Sequence, residues 1–448
     1  MPYIPHSSQE RKEMLDAIGV RSAEELFRHI PNELRFSAPP LPRGLSEYEV
    51  LQLLRRRAGE NTPLSRWNSF LGAGCYDHYV PAALSSLVSL PQFVTAYTPY
   101  QPECSQGILQ AIFEYQSFIC LLTGKEVTNA SLLDGATALG EAVRMALRLN
   151  RRGWVLLADS VHPEYKRTLR TYLSAQECIC EEVPRAAAGT LDISAWRRAL
   201  SREVSCCVVQ APNFFGLIED AEEIHRLCRT TDTLLIVVAN PLSLALFQPS
   251  GDLICGDIQP FGCGVNFGGP GGGYLAASRR MIRQLPGRIV GRTVDAGGND
   301  AFCLTLQTRE QHIRREKATS NICSNHSLQA IAAAVYLSLQ GSRGLTHTAR
   351  QCVRNTQYLY RKMKGLSGVT LPYGPGVFHE FVWQVARPAA VLEALRRKGI
   401  LGGYPTGKEF PGLDGGILSC CTEKKTKQDI DAYVSALEEI LHGGQVRV

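Results

Sequence analysis

Val204-Ser205-Cys206-Cys207-Val208-Val209-Gln210 and Leu234-Leu235-Ile236-Val237-Val238-Ala239 are short apolar runs rich in β-branched residues. Residues 220–228 between them have the pattern of a helix, and Trp154 to Ala158 is a third buried-strand pattern. Apolar strands that alternate with helices predict a mostly parallel sheet that is covered by helices on both faces. The sequence therefore predicts an α/β fold, with further helices at 106–122 and 136–149.

The chain of 448 residues is long enough for two domains and an extra arm. We predict an N-terminal helical arm over 1–60, a large α/β domain over 61–310 and a smaller α+β domain over 311–448. Two capping-box patterns, at 22–25 and 46–49, indicate short helices in the arm. In the C-terminal part, apolar periodicity predicts the following helices: 327–339, 349–363 and 429–441.

Ligands of such parallel sheets bind outside the carboxyl ends of the strands. Those ends are here Asp159-Ser160-Val161-His162, Ala211-Pro212-Asn213 and Asn240-Pro241. We therefore expect a site where these three segments meet.

Composition excludes several classes of function. The net charge of +6 is modest and the basic residues are scattered, so nucleic-acid binding is not predicted. No apolar run is long enough to cross a bilayer, and the N-terminus lacks the pattern of a signal peptide. Fifteen cysteines without a C-x-x-C pair do not indicate a zinc site, and we expect buried thiols and a cytoplasmic protein without a metal.

A stiff polar loop, residues 96–107, contains Tyr97 and Tyr100 between prolines just ahead of a predicted helix. It is either part of a site or a structural turn with packed tyrosines. The segment 129–139 enters the next helix, and a helix start of small residues can hold a phosphate. Because Asp134 is the expected N-cap, its carboxylate would repel that anion, which favours an ordinary capped helix.

Two further stretches are distinctive. The glycine-rich turn at 267–273 lacks the spacing of a P-loop, which excludes that motif. The run from Leu304 to Cys323 collects many polar groups and contains Ala318-Thr319-Ser320-Asn321. Small hydroxyl and amide residues suit a loop that approaches another molecule closely.

Together these stretches resemble the glycine cleavage P-protein family over nearly the whole chain. The resemblance rests on the following segments: Tyr3-Ile4-Pro5-His6, Phe70-Leu71-Gly72-Ala73-Gly74, Asp77-His78-Tyr79, Tyr97-Thr98-Pro99-Tyr100-Gln101, Asp134-Gly135-Ala136-Thr137-Ala138, Pro212-Asn213-Phe214-Phe215-Gly216, Pro286-Gly287-Arg288 and the run that ends at Cys323. It implies the pyridoxal phosphate (PLP)-dependent transferase fold of the aspartate aminotransferase type. The length resembles that of subunit 1, the amino-terminal type, in the two-chain form of the family, in which a homologous subunit 2 carries PLP.

Three residues depart from what a PLP site of this family requires. The resemblance places Gln259 where the catalytic subunit has its lysine, and an amide cannot form a Schiff base. Asn240 is neutral where the fold places an aspartate against the pyridinium nitrogen, and Asp134 disfavours a phosphate. No lysine occurs between Arg167 and Glu316. The segment 251–260 is also shorter than usual in the family, with Ile258 where a glycine is common.

The resemblance also implies that each subunit lends residues to its neighbour's cofactor. Thr319 and Asn321 are expected to contact the PLP held by the partner, with Thr319 on its phosphate. Tyr97, Tyr100 and His312 are further candidates for the shared wall of that site. With subunit 2, the chain is expected to act in glycine decarboxylation and in transfer of the aminomethyl group to the lipoyl arm of H-protein.

Two alternatives remain open from the sequence. The chain could be an autonomous PLP enzyme that uses Lys166 or Lys317, although neither follows the strand that should present a cofactor lysine. It could also be a scaffold or regulatory pseudoenzyme that lends no residue to catalysis.

Overall fold

A computed structural model describes residues 6–35, 41–94, 98–267, 269, 271–322 and 326–443. The chain divides into two compact units, Met1–Pro63 and Leu64–Val448. The predicted boundaries at residues 60 and 310 remain predictions. Among the helices of the described residues, none combines the length and the apolar character that a bilayer crossing requires.

The first unit contains helices α1 (Ser8–Ile18) and α2 (Glu47–Gly59). Ser46 and Glu49 cap the start of α2 reciprocally, as the capping-box pattern predicts. The same prediction is wrong at Ser22, whose side chain makes no capping hydrogen bond; only a 3-10 turn follows it. No described residue of this unit is buried.

The second unit contains the remaining helices and all fourteen strands found in the described residues. The helices are α3 (Ala82–Val88), α4 (Pro91–Val94), α5 (Gln106–Thr123), α6 (Gly135–Asn150), α7 (Pro163–Leu173), α8 (Ile193–Ala199), α9 (Ala221–Thr230), α10 (Ser327–Lys364), α11 (Pro388–Arg397) and α12 (Lys427–His442). The strands are β1 (Asn68–Ser69), β2 (Val127–Thr128), β3 (Trp154–Ala158), β4 (Ile179–Val183), β5 (Val204–Gln210), β6 (Leu234–Val238), β7 (Leu253–Asp257), β8 (Gly273–Ala277), β9 (Ile289–Val294), β10 (Asp300–Thr305), β11 (Glu380–Gln384), β12 (Ile400–Leu401), β13 (Tyr404–Pro405) and β14 (Gly416–Cys420).

The central sheet has seven strands in the order β2-β8-β7-β6-β5-β3-β4. Strands β3 to β7 pair in parallel, and β8 is antiparallel to both of its neighbours. Nearly every residue of β3, β5 and β6 is buried, as expected for strands covered on both faces. The predicted α/β fold is confirmed.

The helices predicted at 327–339 and 349–363 are both present within α10. They are two helical segments that meet at a kink at Gly341, whose backbone has φ 59° and ψ 179°. After α10, strands β11, β14 and β13 form an antiparallel sheet that packs with α11 and α12 around a separate apolar core. The largest side chains in that core are Trp383 and Tyr433.

Candidate functional site

The carboxyl ends of β3, β5 and β6 meet the start of α6, as the parallel topology requires. A small cavity of about 40 Å³ lies at this junction. It is lined in part by Tyr76, His162, Tyr165, Gln210, Asn240 and Asp257. A neighbouring cavity of about 340 Å³ shares Asp257 and also reaches Cys75, Leu133, Asp134, Gln259 and His326. A pocket therefore lies at the edge of the sheet where a site is expected.

Gln259 lies two residues beyond β7 and is buried in the wall of the larger cavity. Its Nε2 atom donates to Tyr76 O over 2.8 Å and to Cys263 O over 2.9 Å. Its Oε1 atom accepts a hydrogen bond from Tyr76 N over 3.0 Å. The amide is thus fully engaged and holds the segment around Tyr76 in place.

Asn240 follows β6 and contributes to the wall of the small cavity. Its Nδ2 atom lies 3.1 Å from His379 Nε2, and its Oδ1 atom accepts from Leu242 N over 2.9 Å. Burial and the neighbouring His78 lower the pKa of His379 well below its usual value. Asn240 therefore donates to a neutral imidazole and carries no charge into the pocket.

Two carboxylates occupy the start of α6. Asp134 is the N-cap, as predicted, and its Oδ1 atom accepts from Thr137 N over 2.7 Å. Asp257 Oδ2 accepts from Gly135 N over 3.0 Å. Burial raises the pKa of Asp257 to about 6, although the hydrogen bond from Gly135 lowers it. Sequence reasoning missed Asp257, although it is the last residue of a buried strand beside the expected site.

These residues do not fit a bound PLP. Gln259, which stands where the family resemblance places the lysine, has a hydrogen-bonded amide. Two carboxylates already bond the start of α6. The described residues that line the two cavities include no lysine and no arginine that could hold a phosphate.

A second cluster brings together two of the predicted wall residues. The rings of Tyr100 and His312 have their centroids 5.0 Å apart. Arg288 Nη2 donates to Tyr100 Oη over 2.8 Å, and the guanidinium lies 5.1 Å from the centre of the Tyr100 ring. The third candidate, Tyr97, lies outside the described residues.

Thr319 and Asn321 follow His312 in the same loop. Thr319 N donates to Arg309 O over 3.0 Å. The guanidinium of Arg309 is buried and donates to the carbonyl oxygens of Leu285 and Gly287, which ties the loop to the segment before Arg288. Thr319 is half-buried and Asn321 is exposed, so both are at the protein surface and not in the pocket at Gln259.

A buried polar network was not predicted from the sequence, because its members are distant along the chain. Glu380 accepts from Ala73 N over 2.6 Å and from the Tyr76 hydroxyl over 2.8 Å, and burial raises its pKa to about 7. Beside it, His78 Nδ1 lies 2.7 Å from Glu423 Oε2.

Cys352 completes a His–Cys–Glu group with the His78–Glu423 pair, and its three potential metal ligands lie within 4.8 Å of one another. Cys352 Sγ donates to Glu423 Oε2 over 3.5 Å. Hydrogen bonding within the group accounts for this arrangement.

The sequence profile of the glycine cleavage system P-protein family matches residues 1–437. The probable glycine dehydrogenase (decarboxylating) subunit 1 of Geobacillus kaustophilus is 44% identical over 441 residues, which cover 97% of this chain and 98% of that protein. The protein of the same description from Desulfitobacterium hafniense is 44% identical over 446 residues, 98% of this chain and 100% of that protein.

Solved structures agree with the sequence relatives. The inhibitor-bound crystal structure of glycine decarboxylase (P-protein) of the glycine cleavage system superposes with a TM-score of 0.91 at 40% identity, covering 98% of this chain and 100% of that one. A sphingosine-1-phosphate lyase of Burkholderia pseudomallei shares the fold, with a TM-score of 0.67 at 17% identity over 91% of this chain and 93% of that one. This chain belongs to the glycine cleavage system P-protein family.

Proposed function

We propose that this chain is subunit 1 of a two-subunit glycine dehydrogenase (decarboxylating), and that it is inactive alone. The observation that carries the proposal is Gln259, whose buried amide is bonded to Tyr76 and Cys263 where a catalytic subunit needs a lysine. Relatives that match the chain from end to end carry the subunit 1 description. The missing amine then belongs to a second chain.

The partner is a homologous subunit 2 that holds PLP. In the complete enzyme, PLP supplies the electron sink for loss of CO2 from glycine. The remaining aminomethyl group passes to the lipoyl arm of H-protein. In this division of labour, the present chain positions its partner and completes the wall of the partner's site.

The first unit supports an obligate partnership. Its described residues are all at least partly exposed, yet they include large apolar side chains on both helices. Met14 and Ile18 on α1, and Leu51 and Leu54 on α2, are each 41–60% exposed. Apolar surface of this kind is typical of a segment that is covered in an assembly.

The cluster of Tyr100, Arg288 and His312 supports a contribution to the partner's site. It combines an aromatic face, a cation and an imidazole near the loop that carries Thr319. The group suits contact with an anionic ligand. Substitutions there distinguish a contribution to the partner's site from the role of a scaffold that lends no residue to catalysis.

The autonomous-enzyme alternative is disfavoured by the surroundings of its two lysines. Lys166 lies on α7, where its Nζ atom is 2.9 Å from Glu182 Oε2 and donates to Asp159 O over 3.1 Å. Lys317 is exposed in a surface loop. Neither residue lines the described cavities at the sheet edge.

The test is reconstitution. Each subunit is purified, and exchange of the glycine carboxyl group with labelled CO2 is measured for each alone and for the mixture, with PLP and H-protein present. We expect exchange only in the mixture, and borohydride should fix PLP to the partner. Exchange by this chain alone, or fixation of PLP on it, would overturn the proposal.

A further inference from the structure

Helix α6 begins at the pocket, and its first backbone N–H groups point out of the helix. Such a helix start carries a partial positive charge and favours an anion. In this chain the groups are already engaged by carboxylates. Gly135 N donates to Asp257 Oδ2 over 3.0 Å, and Thr137 N donates to Asp134 Oδ1 over 2.7 Å.

Asp257 is not an ordinary cap. Asp134 is adjacent to the helix and already supplies the local cap, with Thr137 completing the capping box. Asp257 comes from the end of β7, 122 residues further along the chain, and its second oxygen accepts from Gln259 N over 2.8 Å. A buried carboxylate is unfavourable unless it is well bonded. Backbone N–H groups of Gly135, Gln259 and Gly272 bond this carboxylate, so it is held firmly at the start of α6.

The two carboxylates at the start of α6 match a phosphate group in charge and in the space that they occupy. Two carboxylates together carry nearly the same charge as a phosphate monoester, which is about −1.5 to −2 at neutral pH. The Tyr165 hydroxyl lies so close to Gly135 that a Cβ atom there would overlap it. The Tyr165 hydroxyl and the backbone of Asp257 thus pack directly against Gly135.

We propose that the Asp257 carboxylate takes the place of a phosphate group at the start of α6 and, together with Asp134, closes this chain's pocket to phosphate-bearing ligands. The identity of the excluded ligand, PLP, rests on the proposed function. The exclusion itself is a property of this chain and is measurable without the partner.

The experiment compares the full-length chain with D257S and with D134S/D257S. Serine at position 134 retains a good N-cap, so the double variant removes charge while keeping the helix start intact. Inorganic phosphate is the first probe and PLP the second, in equilibrium dialysis and in thermal unfolding at constant ionic strength. The unmodified chain should show no saturable phosphate binding, whereas D257S should bind phosphate saturably. D134S/D257S should bind it at least about tenfold more tightly than D257S.

The control is D220S, which removes an exposed N-cap carboxylate from α9 and should not create a phosphate site. D257N has nearly the same size as the native residue and gives the same readout where D257S does not fold. Saturable phosphate binding by the unmodified chain, or none by a folded variant, would overturn the proposal. Either result leaves the exchange activity of the subunit pair untouched, so it is distinguishable from failure of the proposed function.

Discussion

The side-chain amide of Gln259 and the backbone of Tyr76 bind each other in both directions. Tyr76 N donates to Gln259 Oε1, and Gln259 Nε2 donates back to Tyr76 O. A further bond from Nε2 to Cys263 O leaves neither amide hydrogen free. At this position the chain has a structural link between two loops, and the link explains why a lysine cannot simply be restored.

Replacing Gln259 with lysine should destabilise the chain without making it an enzyme. The ammonium group cannot accept the hydrogen bond from Tyr76 N, which leaves that buried N–H without its partner. We expect a loss of about 2–4 kcal/mol in the free energy of unfolding, measured by urea denaturation.

The matched control is Q110K. Gln110 is exposed on α5 and bonds to Glu114 one turn along the helix, where a lysine can form an ion pair. It should therefore leave stability nearly unchanged. A Q259K chain as stable as Q110K would show that the link to Tyr76 contributes little.

Replacing Thr319 with valine should weaken PLP retention by the subunit pair. Valine keeps the shape of threonine and removes the hydroxyl that is proposed to reach the partner's phosphate. Loss of one hydrogen bond to a charged group corresponds to about a tenfold weaker affinity for PLP. The measurement is a titration of the reconstituted pair with PLP, followed by absorbance.

Two variants make this result specific. T319S should restore most of the affinity because it returns the hydroxyl. T308V changes an exposed threonine of the same loop and should have no effect. Equal PLP affinities for the native pair and the T319V pair would remove Thr319 from the site.

Glu380 should make the stability of the chain depend on pH. Burial raises its pKa from 4.5 to about 7, so the folded state binds a proton that the unfolded state releases between these values. This contribution to stability is complete below pH 4.5 and is lost as the pH rises through about 7. The loss should amount to about 3 kcal/mol.

The variant E380Q isolates that contribution. Glutamine can still accept from Ala73 N, while the Tyr76 hydroxyl can turn to accept from its amide. The difference in unfolding free energy between E380Q and the native chain should grow in favour of E380Q from pH 5 to pH 8. E393Q is the control, because the Glu393 carboxylate is exposed and bonds of Arg396 and Arg397 lower its pKa to about 2. A parallel pair of pH profiles for E380Q and the native chain would contradict the assignment.

The double substitution L51S/L54S should weaken assembly with the partner. Both leucines are exposed on α2, and covering the exposed part of each in an interface would contribute roughly 1 kcal/mol. The dissociation constant of the pair, measured by analytical ultracentrifugation, should rise by more than about tenfold. Q52S on the same helix is the control, and an unchanged dissociation constant for L51S/L54S would place the partner elsewhere.

The pattern of apolar residues along the sequence was enough to predict the central sheet. Strands β3 and β5 have the predicted bounds, because short apolar runs between polar turns, alternating with helices, favour buried strands over helices. The helix predicted at 106–122 differs from α5 by one residue at its end, and the helix predicted at 136–149 differs from α6 by one residue at each end. Gly341 shows the limit of this reasoning, since one non-helical residue was too small a signal to define how two helical segments join.

The pocket could be predicted only in part. Asp134 was recognised as an N-cap because its evidence is local in sequence. Asp257 was not, since its role arises from a bond to Gly135 across the fold. The network around Glu380 was missed for the same reason, because its partners Ala73 and Tyr76 are about 300 residues away along the chain.

The satisfied amide of Gln259 has a consequence for how this half of the pair can evolve. A catalytic residue must keep a reactive group unpaired, and active sites therefore trade stability for activity. Gln259 has both amide hydrogens bonded, so it does not lower the stability of the fold in this way. Under the proposed division of labour, selection on this pocket acts on stability and not on reactivity. A stable subunit 1 then allows the catalytic subunit to tolerate strain in its active site.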